Sequence, residues 1–221
     1  MLIARETTGS DLLDEIRARS RERGIPTQTT SRHDLDELAS GNHQGVVAVA
    51  GAYRYASLEP LLAGATTGIL FADGIMDPQN LGALIRSAVG AGFDGVVIPS
   101  HRAAAVTAAA RRVSAGAAEM IGVARVTNLS RAMEQVKARG LWVVGLDEKA
   151  GQTIWSSELL DPPVAIVIGA EDRGISRSVR TNCDALVGIP QQGSLSSLNA
   201  GVAGALAMFE VARRISVRPE D

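Results

Sequence analysis

Apolar positions along the chain fall into short uninterrupted runs separated by longer stretches in which they recur with helical spacing. That is the pattern of strands alternating with helices. Leu2 to Ala4 reads as a strand, and Ser10 is placed to cap a helix from Asp11 to Arg23 that Gly24 ends. Thr27 to Thr29 follows Pro26 as a second short strand. Ser31 with Asp34 makes a capping-box pattern for a short helix to Leu38, and Val46 to Val49 is a third strand. From Gly51 to Thr67 the periodicity lapses except for one helical turn at Ser57 to Leu62, as in a linker. Strands are then expected at Ile69 to Ala72, Val96 to Ile98, Val123 to Val126, Leu141 to Leu146, Val164 to Ile168 and Ala185 to Ile189. Helices are expected at Leu81 to Ala91, Ala103 to Ser114, Leu129 to Ala138 and Ala200 to Ala212, with a disordered tail from Ser216 to Asp221. Such alternation implies an α/β fold, a mostly parallel sheet with helices on both faces. The expected organisation is a small α/β unit over 1–51, a linker over 52–67, a large domain over 68–215 and a tail over 216–221.

Composition narrows the class. Hydrophobic residues make up 46% and charged residues 21%, and no apolar run approaches the ~18 residues of a membrane helix. MLIARETTGSD lacks the basic stretch followed by an apolar core that marks a secretory signal, so a cytoplasmic location is expected. One cysteine, Cys183, and three histidines make a disulfide or a metal site unexpected. The net charge of −2 argues against a surface coated in positive potential. Its basic residues are nevertheless almost all arginine, the better phosphate fork, and they cluster at Arg17 to Arg23, at Arg111 and Arg112, and at Arg173, Arg177 and Arg180.

Chemistry is concentrated where strands end. Ala185 to Arg214 joins a strand stopped by Pro190, a Gly/Ser loop, and a helix announced by Ser196, Ser197 and Asn199. A strand end beside a helix start gathers free carbonyls and N–H groups in one place, as α/β ligand sites do. The helix is apolar nearly all round, with Leu206, Met208, Phe209 and Val211 facing different ways, which one sheet face cannot cover. Asn80 follows Pro78 where an N-cap would precede Leu81. Arg86 sits between Ile85 and Ser87 in a small, apolar helix, a charge that needs a salt-bridge partner or a phosphate. Gly169-Ala-Glu171-Asp-Arg-Gly174 follows one apolar strand, and Leu146-Asp-Glu-Lys-Ala-Gly151 leaves another. These features also suit a dinucleotide-dependent enzyme, although no Gly-rich first turn is present, or a binding module without catalysis.

Three of these stretches resemble, in order, the signatures of the SpoU family of RNA 2′-O-ribose methyltransferases. They are DGIMDPQNLGALIRSA from Asp73, IVIGAEDRGISRSVRTNCD from Ile166, and IPQQGSLSSLNAGVAGA from Ile189. Within the family the chain is most similar to the branch that methylates guanosine of ribosomal RNA. The resemblance implies a C-terminal deep trefoil knot and S-adenosyl-L-methionine as cofactor, with no metal. It also implies RNA as partner, 23S rRNA ahead of tRNA, and a homodimer. It makes Arg86 the essential catalytic residue, contacting the reacting ribose and phosphate, with Asn80, Glu171, Ser197 and Asn199 around it. Leu146, Gly169, Gly174, Ile189, Ser194 and Leu198 become cofactor positions, several of them through main-chain groups. The first 51 residues resemble the later part of the family's small RNA-binding domain, shortened at its start, up to His43-Gln44-Gly45-Val46.

Overall fold

The computed structural model describes residues 1–7, 10–39, 43–65, 67–193 and 197–217, in two compact units, Met1–Ala52 and Tyr53–Asp221. In the first unit β1 (Leu2–Ala4) lies between β2 (Gln28–Thr30), parallel to it, and β3 (Val46–Val47), antiparallel to it. Two helices, α1 (Asp11–Glu22) and α2 (Arg32–Leu38), complete it, with Ile3, Ala4, Leu13 and Leu35 buried. Both start signals work as read. The Ser10 hydroxyl accepts from Leu13 N at 3.2 Å, and Ser31 and Asp34 exchange side-chain and backbone bonds in a capping box. Gly24, at φ 62°, supplies the left-handed turn that stops α1.

The second unit is built on a seven-stranded parallel sheet in the order β6-β5-β4-β9-β7-β10-β8. Its strands are β4 (Gly68–Asp73), β5 (Gly95–Pro99), β6 (Gly122–Val126), β7 (Trp142–Leu146), β8 (Gln152–Thr153), β9 (Val164–Gly169) and β10 (Ala185–Gly188). Its helices are α3 (Leu58–Ala63), α4 (Pro78–Gly90), α5 (Ala108–Val113), α6 (Leu129–Lys137), α7 (Arg177–Thr181) and α8 (Ala200–Val217). Alternate residues of each strand feed opposite faces. Leu70, Ala72, Ile166 and Ile168 pack under α4 and α8, while Ile69, Phe71, Ala165 and Val167 pack against α3, α6 and α7. Covering both faces is what makes these strands read as continuous apolar runs. No helix among the described residues is long and apolar enough to cross a membrane.

Three expectations are corrected. The helical turn expected at Ser57 to Leu62 forms as α3, but the stretch around it, read as linker over 52–67, is bonded to the sheet, with Ala56 bridging to Ala124 at the β6 edge. The Tyr53 hydroxyl donates to Ala118 O at 2.9 Å, and the Tyr55 hydroxyl accepts from Val106 N at 3.0 Å. Those partners lie more than 50 residues away in sequence, so no local period could announce them. The helix expected from Ala103 begins only at Ala108, because Ala104 N is taken by Ile75 O at 2.7 Å and Thr107 caps α5. Alanine's helical preference yields there to buried tertiary bonds. The last helix runs past Ala212 to Val217, so Ser216 is helical. Glu210, 5% exposed, accepts from both Arg213 and Arg214, and Arg214 donates on to Ile154 O and Ser157 O. The terminal turns are thereby fastened to the segment after β8.

Chain order and sheet order diverge at β4. The path moves outward through β5 and β6, then crosses to β7, and β9 fills the gap between β4 and β7. The reversal opens a crevice at the carboxyl ends of β4, β9, β7 and β10, where α/β sheets bind ligands.

Candidate active site

Three segments converge at that crevice. After β4, Asp77 caps α4 by accepting from Gln79 N at 2.9 Å, with Pro78 in the first turn. Asn80 is therefore not the N-cap expected of it. It stands one turn inside the helix, which frees its side chain to donate to Glu171 Oε1 at 3.1 Å. Asn199 caps α8, its Oδ1 accepting from Val202 N at 3.2 Å. Its amide nitrogen donates to Asn80 Oδ1 at 2.8 Å and to Glu171 Oε1 at 2.6 Å. Ala200 N adds a third bond to the same oxygen at 3.0 Å. A carboxylate at the start of an 18-residue helix also lies at the favourable end of its dipole. Glu171 thus ties the loop after β9 to α4 and α8.

The loop carrying Glu171 is shaped by glycine. A Cβ on Gly169 would collide with the backbone of Gly174 and Ile175, and Gly174 holds φ 63°. Asp73, buried at the end of β4, accepts from Ser176 N at 2.7 Å and pins the far end of the loop. Asp73 opens the first signature stretch, where nothing in its spacing announces this bond.

Beside the Asn80–Glu171–Asn199 cluster lies a cavity of about 520 Å³. Leu146, Gly169, Gly174, Ile189 and Leu198 line it as expected, and so do Glu171 and Ser197. Ser194 lies outside the described residues. Residues not singled out also line it, among them Asp147, Arg180, Val187 and Gln191. Asp147 and Arg180 form an ion pair at its rim. The only forward signal for them was position, Asp147 directly after a strand and Arg180 within an arginine cluster.

Arg86 is the exception. It is exposed on α4, and its side chain makes no hydrogen bond or ion pair with any described residue, Glu171 included. Six residues along a helix amount to about 120° of rotation away from Asn80, so the two occupy different faces. Arg86 shares its face instead with Gly90, one turn on, where Phe209 of α8 packs.

The SpoU rRNA Methylase family profile matches residues 68–209, and that of the RNA 2′-O ribose methyltransferase substrate-binding domain matches residues 1–56. The chain belongs to the SpoU family. It is an RNA methyltransferase, a SpoU enzyme of the class that draws its methyl group from S-adenosyl-L-methionine. It is 42% identical over 200 residues to a putative TrmH family tRNA/rRNA methyltransferase of Bacillus subtilis, covering 88% of this chain and 80% of that one. It is 40% identical over 211 residues to the 23S rRNA (guanosine-2′-O-)-methyltransferase RlmB of Pseudomonas putida, covering 93% and 85%. The SpoU methyltransferase AviRb of Streptomyces viridochromogenes, solved in complex with AdoMet, superposes with a TM-score of 0.77 at 28% identity, covering 97% of this chain and 82% of that one.

The cavity suits that cofactor on its own chemistry. Its volume falls within the ~300–1,000 Å³ of small-molecule sites. Leu146, Ile168, Val187, Ile189 and Leu198 offer apolar walls for a purine, and the glycine-shaped loop brings main chain close.

Proposed function

We propose that this SpoU enzyme methylates a ribose 2′-hydroxyl of structured RNA, with 23S rRNA ahead of tRNA as substrate, in the cytoplasm. The observation that carries the reading is the Glu171 oxygen joining Asn80, Asn199 and the start of α8 at the mouth of the cavity. The relative from Pseudomonas putida and the substrate-binding match over residues 1–56 favour ribose in ribosomal RNA.

S-adenosyl-L-methionine supplies an electrophilic sulfonium methyl. The chain's task is to hold a ribose in line with it and to ease the loss of a proton from a weakly acidic hydroxyl. Leu146, Gly169, Gly174, Ile189 and Leu198, with Ser194, would hold the cofactor. Asn80 and Asn199, fixed by Glu171, present amide groups to the ribose, and Ser197 extends the network. Arg86 contacts the reacting ribose and its phosphate. A guanidinium stays protonated, so its contribution is to stabilise the developing alkoxide.

A homodimer completes the site in this reading. On α8, Val202, Leu206 and Phe209 recur at i, i+4 and i+7 and remain 49%, 42% and 50% exposed, an apolar stripe beside Gly90 of α4. A two-fold axis through this face buries the stripe and carries Arg86 toward the partner's cavity, which accounts for its side chain having no partner among the described residues of one chain. The family's trefoil knot belongs to the same reading: after β10 the chain returns as α8 over β9 to α4.

The test is methyl transfer from labelled cofactor to unmodified 23S rRNA and tRNA transcripts, followed by alkaline hydrolysis. A 2′-O-methyl group blocks cleavage at its own position, so label is expected in alkali-resistant dinucleotides. Label recovered only in methylated bases overturns the ribose assignment.

A further inference from the structure

Between Asp94 and Glu134 the chain carries five arginines and one histidine but a single carboxylate, Glu119. That carboxylate is committed to Arg111, whose Nε and Nη2 reach it at 2.8 and 2.7 Å. A chain of net charge −2 therefore holds a local excess of positive charge. The fold brings much of it to one edge. His101 and Arg102 lie in the loop after β5, Arg125 near the end of β6, and Arg131 in the first turn of α6. Val126 pairs with Pro99, Val97 with Phe71, and Asp73 with Gly169, so the ends of β6, β5, β4 and β9 are level. At about 4.8 Å per strand, the loop after β5 lies roughly 10 Å from the loop that carries Glu171.

That loop is fixed by tertiary bonds. Ser100 N donates to Val126 O at 2.7 Å and Ala104 N to Ile75 O at 2.7 Å. Arg125 Nη2 donates to Ser100 O at 2.6 Å, with its guanidinium 5.5 Å from the centre of the Tyr55 ring. Arg102 is held at φ 55°, a left-handed conformation unfavourable for a long side chain, and such strain concentrates at functional positions. His101 and Arg102 are both exposed, and neither makes a hydrogen bond or ion pair with a described residue. On the opposite flank Asp147, Glu148 and Asp172 border the cofactor cavity with Lys149, Arg173 and Arg180, so charge there is balanced, and Arg180 and Arg173 are already paired with Asp147 and Asp172.

We propose that the His101–Arg102 loop, flanked by Arg125 and Arg131, is a docking rim for the phosphate backbone of the RNA substrate. It guides the strand away from the nucleotide held at the Glu171 cluster. An RNA strand crossing that cluster leaves over β5 and β6, where His101 and Arg102 have no ion pair among the described residues, rather than over the mixed charges beside β7. Phosphate contacts position a nucleic acid without reading its sequence, so the rim governs RNA affinity and leaves cofactor affinity alone. The inference rests on RNA being the substrate.

The test uses the full chain and a fluorescent 23S rRNA transcript, with affinity followed against KCl concentration and cofactor affinity measured by calorimetry. Arg102→Ala is expected to weaken RNA binding about tenfold and to reduce the slope of log K on log salt by about one, with cofactor binding unchanged. Arg102→Gly relaxes the left-handed backbone, so it is expected to hold or raise the melting temperature while losing the same RNA affinity. Arg102→Lys should recover most of the binding. Wild-type affinity and salt slope in both Arg102→Ala and Arg102→Gly overturn the rim and leave the enzyme assignment standing. A wild-type protein that neither binds nor methylates RNA overturns the assignment itself, and the rim with it.

Discussion

Asn199 donates to Glu171 at 2.6 Å from 28 residues away, and the same carboxylate oxygen also takes Asn80 and the first amide of α8. One acceptor satisfying three donors makes Glu171 the joint of the site. Glu171→Ala strands all three and is expected to cost about 1–3 kcal/mol of stability along with about a hundredfold in turnover. Glu171→Gln keeps an oxygen in place and should recover most of the stability but only part of the turnover. Thermal unfolding and single-turnover methyl transfer separate the two; equal activities in wild type and Glu171→Ala remove the carboxylate from the site. Asn199→Ala is likewise expected to reduce turnover more than Ser194→Ala, because Asn199 both caps α8 and holds Glu171.

The Arg86 side chain is exposed and bonded to no described residue, so its loss costs the single chain almost nothing. Arg86→Ala is expected to melt within a degree or two of wild type and to bind S-adenosyl-L-methionine equally, while methyl transfer falls by at least a hundredfold. A matching fall in cofactor affinity, read by calorimetry, reassigns Arg86 to the cofactor.

Phe209 and Leu206 offer a direct probe of the dimer. Each is about half exposed on an apolar stripe of α8. Placing a charge there, as in Leu206→Glu or Phe209→Glu, is expected to leave a folded monomer by sedimentation at micromolar concentration and to abolish shared-site activity. A wild-type chain that sediments as a monomer excludes the dimer outright.

Glu210 gives a pH signature. Hydrogen bonds from Arg213, reinforced by Arg214, hold its carboxyl below the usual range, although burial works the other way. A depressed folded value means stability that is present above the unfolded value of about 4.3 and lost as pH falls through the folded value below it. Glu210→Gln is therefore expected to lower stability by about 2 kcal/mol at pH 7, and the gap to wild type should narrow as pH falls below about 4.3. Denaturant titrations at both pH values measure it; a pH-independent gap assigns the loss to packing.

Elements whose cause is local were legible from residues alone. Ser10 and Ser31 capped as read, Gly24 ended its helix, and every expected strand of the large sheet formed within a residue or two, because a strand covered on both faces must be a continuous apolar run. The cavity-lining set from Leu146 to Leu198 came from the resemblance to the SpoU signatures, since by residue type alone Ile189 and Leu198 read as core. What tertiary structure alone decided has distant partners. Tyr53 and Tyr55 fasten a supposed linker to residues more than 50 positions away, Ala104 gives up a helical bond to Ile75, and Asn80 turns from capping α4 to holding Glu171. The basic loop at Arg102 was hidden for the same reason. Its sequence, HRAAAVTAAA, has the composition of a helix, and bonds from Ala104 N to Ile75 O and from Val106 N to the Tyr55 hydroxyl, with Ser100 N on Val126 O just before it, hold it in another shape. Local propensity and period are written along the chain, whereas long-range hydrogen bonds are selected by packing and leave no spacing to read.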